Sequence, residues 1–211
     1  MTWAALKLWT EDEEPRIQRC IVAALQRLIE SQSVDSNDGE LAISGKLRTH
    51  LYKVKKEMHL AWYIMSETSV FAGKDTPKPI GHPDFCFVNH TPTYEQYEYH
   101  VECKLVRVKR AGKSHDYCKY YVTEGVCRFQ DGVYAQTEPP MGTIIGYVQE
   151  GNILLLLHMI NDAVKAQCLG EISLSDSINE KDVTFLHQFL KRNSAEFKLS
   201  HLWADLRSSP Q

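Results

Sequence analysis

The chain has 211 residues, 43% of them hydrophobic and 24% charged, and a formal net charge of -3. That length suffices for one domain with a substantial core, and the slight acidity excludes a protein held on nucleic acid by bulk charge, though not a local basic patch. The six cysteines, at 20, 86, 103, 118, 127 and 168, contain no CxxC pair, which argues against a disulfide framework or zinc cage and for buried thiols in a reducing cytosol.

Pro15 follows the acidic run Glu11-Asp12-Glu13-Glu14 and is placed for the first turn of a helix. Ile17, Cys20, Ile21, Ala24, Leu25 and Leu28 then recur at helical spacing, predicting an amphipathic helix of roughly four to five turns. After a turn-forming segment at 31–39, Leu41, Ser44, Leu47, Leu51, Val54, Met58 and Trp62 keep one phase of a longer helix, with Ser36 or Asn37 as its cap. Residues 63–71 read as strand and loop, and 73–83 as a linker rich in proline and glycine. Two strands follow from Asp84, joined by a turn over 89–96. The basic segment 107–115 leads to a helix at 115–124 that Gly125 stops. Residues 129–134 read as a strand pair or turn, and 141–148 as a buried strand packed closely at its glycines.

Helices at 152–169 and 180–192 and a last strand near 197–203 complete the order. It predicts an α/β fold with a mixed central β-sheet flanked by α-helices. The expected organisation is a single domain over 1–211, its helical N-terminal segment 1–36 packed on the core. The N-terminus lacks the basic lead and apolar stretch of a secretory signal, and the aliphatic run at 153–157 is too short to span a bilayer. A soluble, cytoplasmic protein is expected.

The chemistry-bearing pattern lies mid-chain. Pro83-Asp84 opens the apolar run Phe85-Cys86-Phe87-Val88, and eighteen residues after Asp84 stands Glu102-Cys103-Lys104. Tyr97, Tyr99, Val101, Cys103 and Leu105 take one face of an extended strand; Gln96, Glu98, His100, Glu102 and Lys104 take the other. Glu102 and Lys104 thus share a side, roughly 7 Å apart, and an antiparallel fold of the two strands sets Asp84 beside Glu102. Two carboxylates held together suit Mg²⁺, which takes oxygen ligands and keeps several waters; the lysine would orient or deprotonate an attacking water. Any antiparallel strand with one wet face shows the same alternation. Glu196-Phe197-Lys198 repeats the triplet without an upstream Pro-Asp.

The long helix, Pro83-Asp84, Glu102-Cys103-Lys104 and the helix after them resemble the PD-(D/E)xK, or restriction endonuclease-like, nuclease superfamily over roughly residues 40–147. The resemblance implies a restriction endonuclease-like core and a metal-dependent DNA endonuclease, a hydrolase of phosphodiester bonds. Asp84, Glu102 and the Cys103 carbonyl would bind Mg²⁺, with Mn²⁺ as its substitute, and Lys104 would position the water. It also implies a glutamate from the preceding helix. Glu40, on or near the inward stripe, is the favoured candidate, with a capping-box role beside Asn37 as its alternative; Glu57 and Glu67 are the others.

Arg107, Lys109, Arg110 and Lys113 supply cations for phosphates directly after Lys104, although a solvated basic loop has the same composition. Such contacts position nucleic acid without reading its sequence. His82, His115, Tyr117, Tyr120, Tyr121 and Arg128 stay open between site and scaffold. The superfamily's habits suggest the effector subunit of a prokaryotic antiviral (anti-phage) defence system. Its partners would be DNA and a second copy, a helicase or ATPase, or a sensor subunit, with no membrane. The alternatives are a non-catalytic nucleic-acid-binding or assembly module of the same fold, and a stand-alone type II-like restriction enzyme.

Overall fold

The computed structural model of the chain describes residues 3–67, 69–71, 79–90, 96–135, 141–175, 182–192 and 195–207. The apolar phase from Ile17 to Leu28 forms the buried face of helix α1 (Trp3–Glu30). Pro15 lies inside this helix rather than in its first turn, because the alanine-, leucine- and glutamate-rich residues ahead of it are strong helix formers. Helix α2 (Glu40–Glu57) buries Ile43, Ser44, Leu47, Leu51 and Val54, while Leu41 is exposed. Gly39 is its N-cap without any side-chain cap, so neither Ser36 nor Asn37 plays that part.

Strands β1 (Tyr63–Ser66), β2 (Val70–Phe71), β3 (Pro79–Gly81), β4 (Phe85–His90) and β5 (Gln96–Arg110) follow. β5 is long because it serves two antiparallel partners, β4 with its first half and β6 (Lys113–Asp116) with its last residues. The tip of the turn expected over 89–96 lies outside the described residues. The helix expected to end at Gly125 instead runs on: α3 (Cys118–Tyr121) passes through a π-helical turn, Val122–Val126, into α4 (Cys127–Gln130). A Cβ at Gly125 would make ordinary contact with the Lys104 side chain at 3.5 Å, so this glycine lies over the sheet and does not end the helix. Single π turns of this kind recur at functional sites. The strand pair expected at 129–134 is the end of α4 and a turn.

β7 (Gly142–Val148) is buried throughout. A Cβ on Gly142 would meet Phe129 at 2.3 Å and one on Gly146 would meet Trp203 at 2.5 Å, which is the close packing those glycines imply. Helix α5 (Ile153–Ala166), N-capped by Asn152, precedes β8 (Ile172–Leu174), β9 (Val183–Arg192) and β10 (Ala195–Asp205). β9 overturns the helix expected at 180–192. Val183, Leu186 and Leu190 have helical spacing, yet the strand pairs along its length with β10 and buries Leu186, Gln188 and Leu190 at a period of two. A glutamine at the middle core position conceals that alternation.

The main sheet has eight strands in the order β1-β4-β5-β7-β10-β9-β8, with β6 on β5, and β2-β3 form a small separate sheet. β7 runs parallel to β5 and β10, and the other pairs are antiparallel. The fold is thus mixed α/β, with helices on both faces. α1 and α2 close a core over Phe85, Tyr99, Val101 and Cys103; α3, α4 and α5 close a second over Val106, Ile144 and Trp203. No helix among the described residues is long and apolar enough to cross a membrane.

Candidate active site

The site lies just ahead of the first residue of β4. Beyond the pair Phe85↔Val101, the N–H groups of Cys103 and Leu105 face an edge with no strand, roughly 7 Å apart. Asp84 Oδ2 accepts the first at 2.8 Å, and Glu40 Oε2, from the first residue of α2, accepts the second at 3.1 Å. Lys104 Nζ then ties the group together. It lies 2.7 Å from Glu102 Oε1 and 3.1 Å from Glu40 Oε1, and donates to the Cys103 carbonyl at 3.0 Å.

Burial decides the charge states. It pushes the Asp84 carboxyl up to about 7, aided by the neighbouring Glu102 carboxylate and opposed by the Cys103 N–H and Lys104. Burial raises Glu102 as well, while Lys104, Arg128 and the Tyr134 hydroxyl hold it down. For Lys104 burial works against the ammonium, but the carboxylates of Glu102, Glu40 and Asp84 outweigh it and lift the group above an ordinary lysine. A lysine held so firmly as a cation orients water and does not deprotonate it. Glu102 is 2% exposed, and its Oε2 is buried without a hydrogen-bond partner. Asp84, Glu102 and the Cys103 carbonyl offer oxygen donors only, as a hard divalent cation requires, and an orphaned carboxylate oxygen is what such an ion would satisfy.

The four residues expected to act together therefore meet. Glu40 is not the N3 residue of a capping box; its carboxylate is spent on Lys104 and Leu105. Glu57 lies apart, paired with Arg27. Glu67 shares a cleft with Asp84. The basic run divides: Lys109 and Lys113 are exposed, whereas Arg107 is half-buried against Met159 and Glu150, and Arg110 donates to the Asp38 carbonyl. Arg107 and Arg110 are committed to the scaffold to that extent.

Tyr121 is a core residue, bonded to His201 and Trp203. Tyr120, His82 and His115 are exposed. Arg128 donates to the Tyr134 hydroxyl at 2.7 Å and to Glu124 at 3.1 Å, so it is neither a loose surface charge nor a free clamp. Tyr134 and the cleft residue Arg48 escape sequence reasoning altogether, for neither is a motif residue nor stands beside one in the sequence.

A second cluster lies farther down the same strands, where ligand atoms of Cys86, Glu98 and His100 fall within 4.8 Å of one another. Its protons argue against a metal. The Ala135 N–H donates to His100 Nδ1 at 2.8 Å, which leaves the neutral ring's proton on Nε2, 2.9 Å from Glu98 Oε2. A metal at Nε2 would have to displace that proton and break both bonds, and burial raises the Cys86 thiol away from thiolate. This histidine is fixed as scaffold beside the site. Comparisons with protein-family models, with curated proteins and with solved structures give no match for this chain.

Proposed function

We propose that the chain is a Mg²⁺-dependent nuclease that hydrolyses DNA phosphodiester bonds on a restriction endonuclease-like core. The observation that carries this reading is the meeting of Asp84, Glu102, Lys104 and Glu40 at the edge of β5. The order α2, β1, the β4–β5 hairpin, the α3–α4 helix and β7 supports it, since it sets a helix on either side of the motif as the resemblance requires. Asp84, Glu102 and the Cys103 carbonyl would hold the ion, which when bound supplies an acidified water and charge neutralisation at the phosphate. Lys104 orients the water and favours the ionised forms of Glu102 and Asp84 against burial. Arg128 and Tyr134 favour the ionised form of Glu102 from the other side. Glu40 fixes Lys104 by accepting from it and from the strand behind it.

The test is incubation of supercoiled, linear and single-stranded DNA, and of RNA, with and without Mg²⁺. Metal-dependent cleavage of DNA by the wild type is expected, with none by Asp84→Asn, Glu102→Gln or Lys104→Ala proteins that remain folded. Undiminished cleavage by all three would sink the site. A second reading, a non-catalytic nucleic-acid-binding module, draws on one observation: Asp84 and Glu40 each already satisfy a backbone N–H, which is a sufficient structural duty. It predicts salt-sensitive DNA binding with no cleavage under any metal.

A further inference from the structure

Beside Asp84 lies a cleft of about 200 Å³ between α2 and the sheet edge, lined by Ser44, Gly45, Arg48, Ser66 and Glu67 among others. We propose that it receives the sugar–phosphate backbone of the strand being cut, with Arg48 gripping a phosphodiester next to the one hydrolysed and no base entering. The inference rests on the nuclease reading and narrows it to a substrate recognised by its backbone.

Three independent features point to a ligand there. Gly45 sits within α2, where glycine is among the poorest helix formers, yet nothing lies within 4 Å of where its Cβ would be. No packing accounts for the glycine, and what it leaves is a bare stretch of helix open to an incoming chain. Ser66 Oγ is buried without a hydrogen-bond partner. Glu67 adopts a left-handed backbone at φ 53° and its N–H donates to the Asp84 carbonyl at 3.4 Å. A non-glycine residue in that conformation stores strain, and such strain collects at ligand clamps.

Size and charge identify the occupant. About 200 Å³ of room admits a phosphate and a bound ion. Phe85, its aromatic wall, is 1% exposed and packed in the core, so it offers no stacking face. Arg48 is exposed and joins no ion pair or hydrogen bond among the described residues. With Asp84 ionised, as it must be to hold an ion, Asp84 and Glu67 outnumber the Arg48 guanidinium in the cleft, and a single divalent cation reverses the sign. Attraction of a phosphodiester is therefore conditional on the ion.

Binding of fluorescein-labelled duplex and single-stranded DNA of several sequences, measured by anisotropy with Ca²⁺ or with EDTA, tests this without relying on turnover. Wild type should bind more tightly with Ca²⁺. Arg48→Ala should weaken that binding about tenfold for every sequence and make the slope of log affinity against log salt shallower by about one, while Arg48→Lys keeps the slope. Gly45→Leu should unfold at a temperature equal to or above wild type, since leucine favours the helix, yet lose binding. Wild-type cleavage together with unchanged binding in Arg48→Ala and Gly45→Leu overturns the cleft assignment and leaves the nuclease reading standing. A wild type that neither binds nor cuts overturns both.

Discussion

Asp84→Asn should stabilise the metal-free protein above neutral pH. The Asp84 carboxyl is pushed from an ordinary 3.8 to about 7, first by burial and then by the Glu102 carboxylate. Between those values the folded chain keeps a proton that the unfolded chain has released, so stability falls as pH rises through the window and levels off above it. A gap of about three pH units at about 1.4 kcal/mol each amounts to roughly 4 kcal/mol. Between about pH 5 and about pH 8, roughly 2–3 kcal/mol of this is lost. Asparagine does not titrate, and its carbonyl can still accept the Cys103 N–H that Asp84 takes at 2.8 Å.

Urea unfolding of both proteins in EDTA at the two pH values reads the difference. The variant's advantage should widen with pH by roughly 1 M in midpoint, for a slope of about 2–3 kcal/mol per molar. Burial also raises Glu14 to about 7, so wild type alone would mix two groups, and only the gap between wild type and variant isolates Asp84. A gap that stays constant or narrows from the lower to the higher pH refutes the reasoning. Mg²⁺ should add about 2.7 kcal/mol to wild type at a hundred times its Kd and nothing to the variant.

Lys104→Met should cost about 3–5 kcal/mol, because it strands the Glu102 carboxylate in a buried site; adding Glu102→Gln should recover much of the loss in the same denaturation assay, and a cost below about 1 kcal/mol would show the pair to be solvent-screened. Arg128→Ala should move the acid limb of the pH–activity profile upward, since Arg128 holds the Glu102 carboxyl down, and Arg128→Lys should restore it; a downward move contradicts the assignment. Lys109→Ala and Lys113→Ala should each make the salt slope of DNA binding shallower by about one. Arg107→Ala should instead lower the unfolding midpoint through its lost contacts to Met159 and Glu150, and an equal effect of all three on the slope would restore the undivided basic run.

Legibility of the site followed sequence distance. The β4–β5 pairing is legible because alternation fixes which side chains share a face and a short connection fixes the register, setting Phe85 on Val101. Glu40 could be read only as a member of a stripe; its bond to Lys104 spans 64 positions, and nothing local reveals such a partner. How the basic run divides is not legible in the sequence, because charge carries no register. A bulge in the β5–β7 pairing at Leu105 and Arg107, and the half-burial of Arg107, are decided by the neighbouring strand and by α5. β9 failed for a related reason, since a buried polar residue is informative only once its partner is known: Gln188 donates to the Gly170 carbonyl.

The same carboxylates satisfy both the structural and the chemical reading, so sequence pattern alone cannot separate them. A strand that ends before its partner leaves donors facing outward, and Asp84 and Glu40 cap them. Capping, however, needs only one acceptor oxygen per N–H, and asparagine or glutamine would provide it without a charge to desolvate. What capping does not require is Glu102, which bonds no strand N–H among the described residues, is 2% exposed and leaves Oε2 unpartnered. Nor does it require an acid buried so deeply that its carboxyl is raised to about 7, with the Glu102 carboxylate adding to the effect of burial. Lys104 answers only part of this buried acidity, through Glu102 Oε1 and Glu40 Oε1; the rest opposes folding, and a bound cation would cancel it. The energetic cost, more than the motif, is therefore what argues for chemistry at this edge, and it is the quantity that Asp84→Asn measures directly.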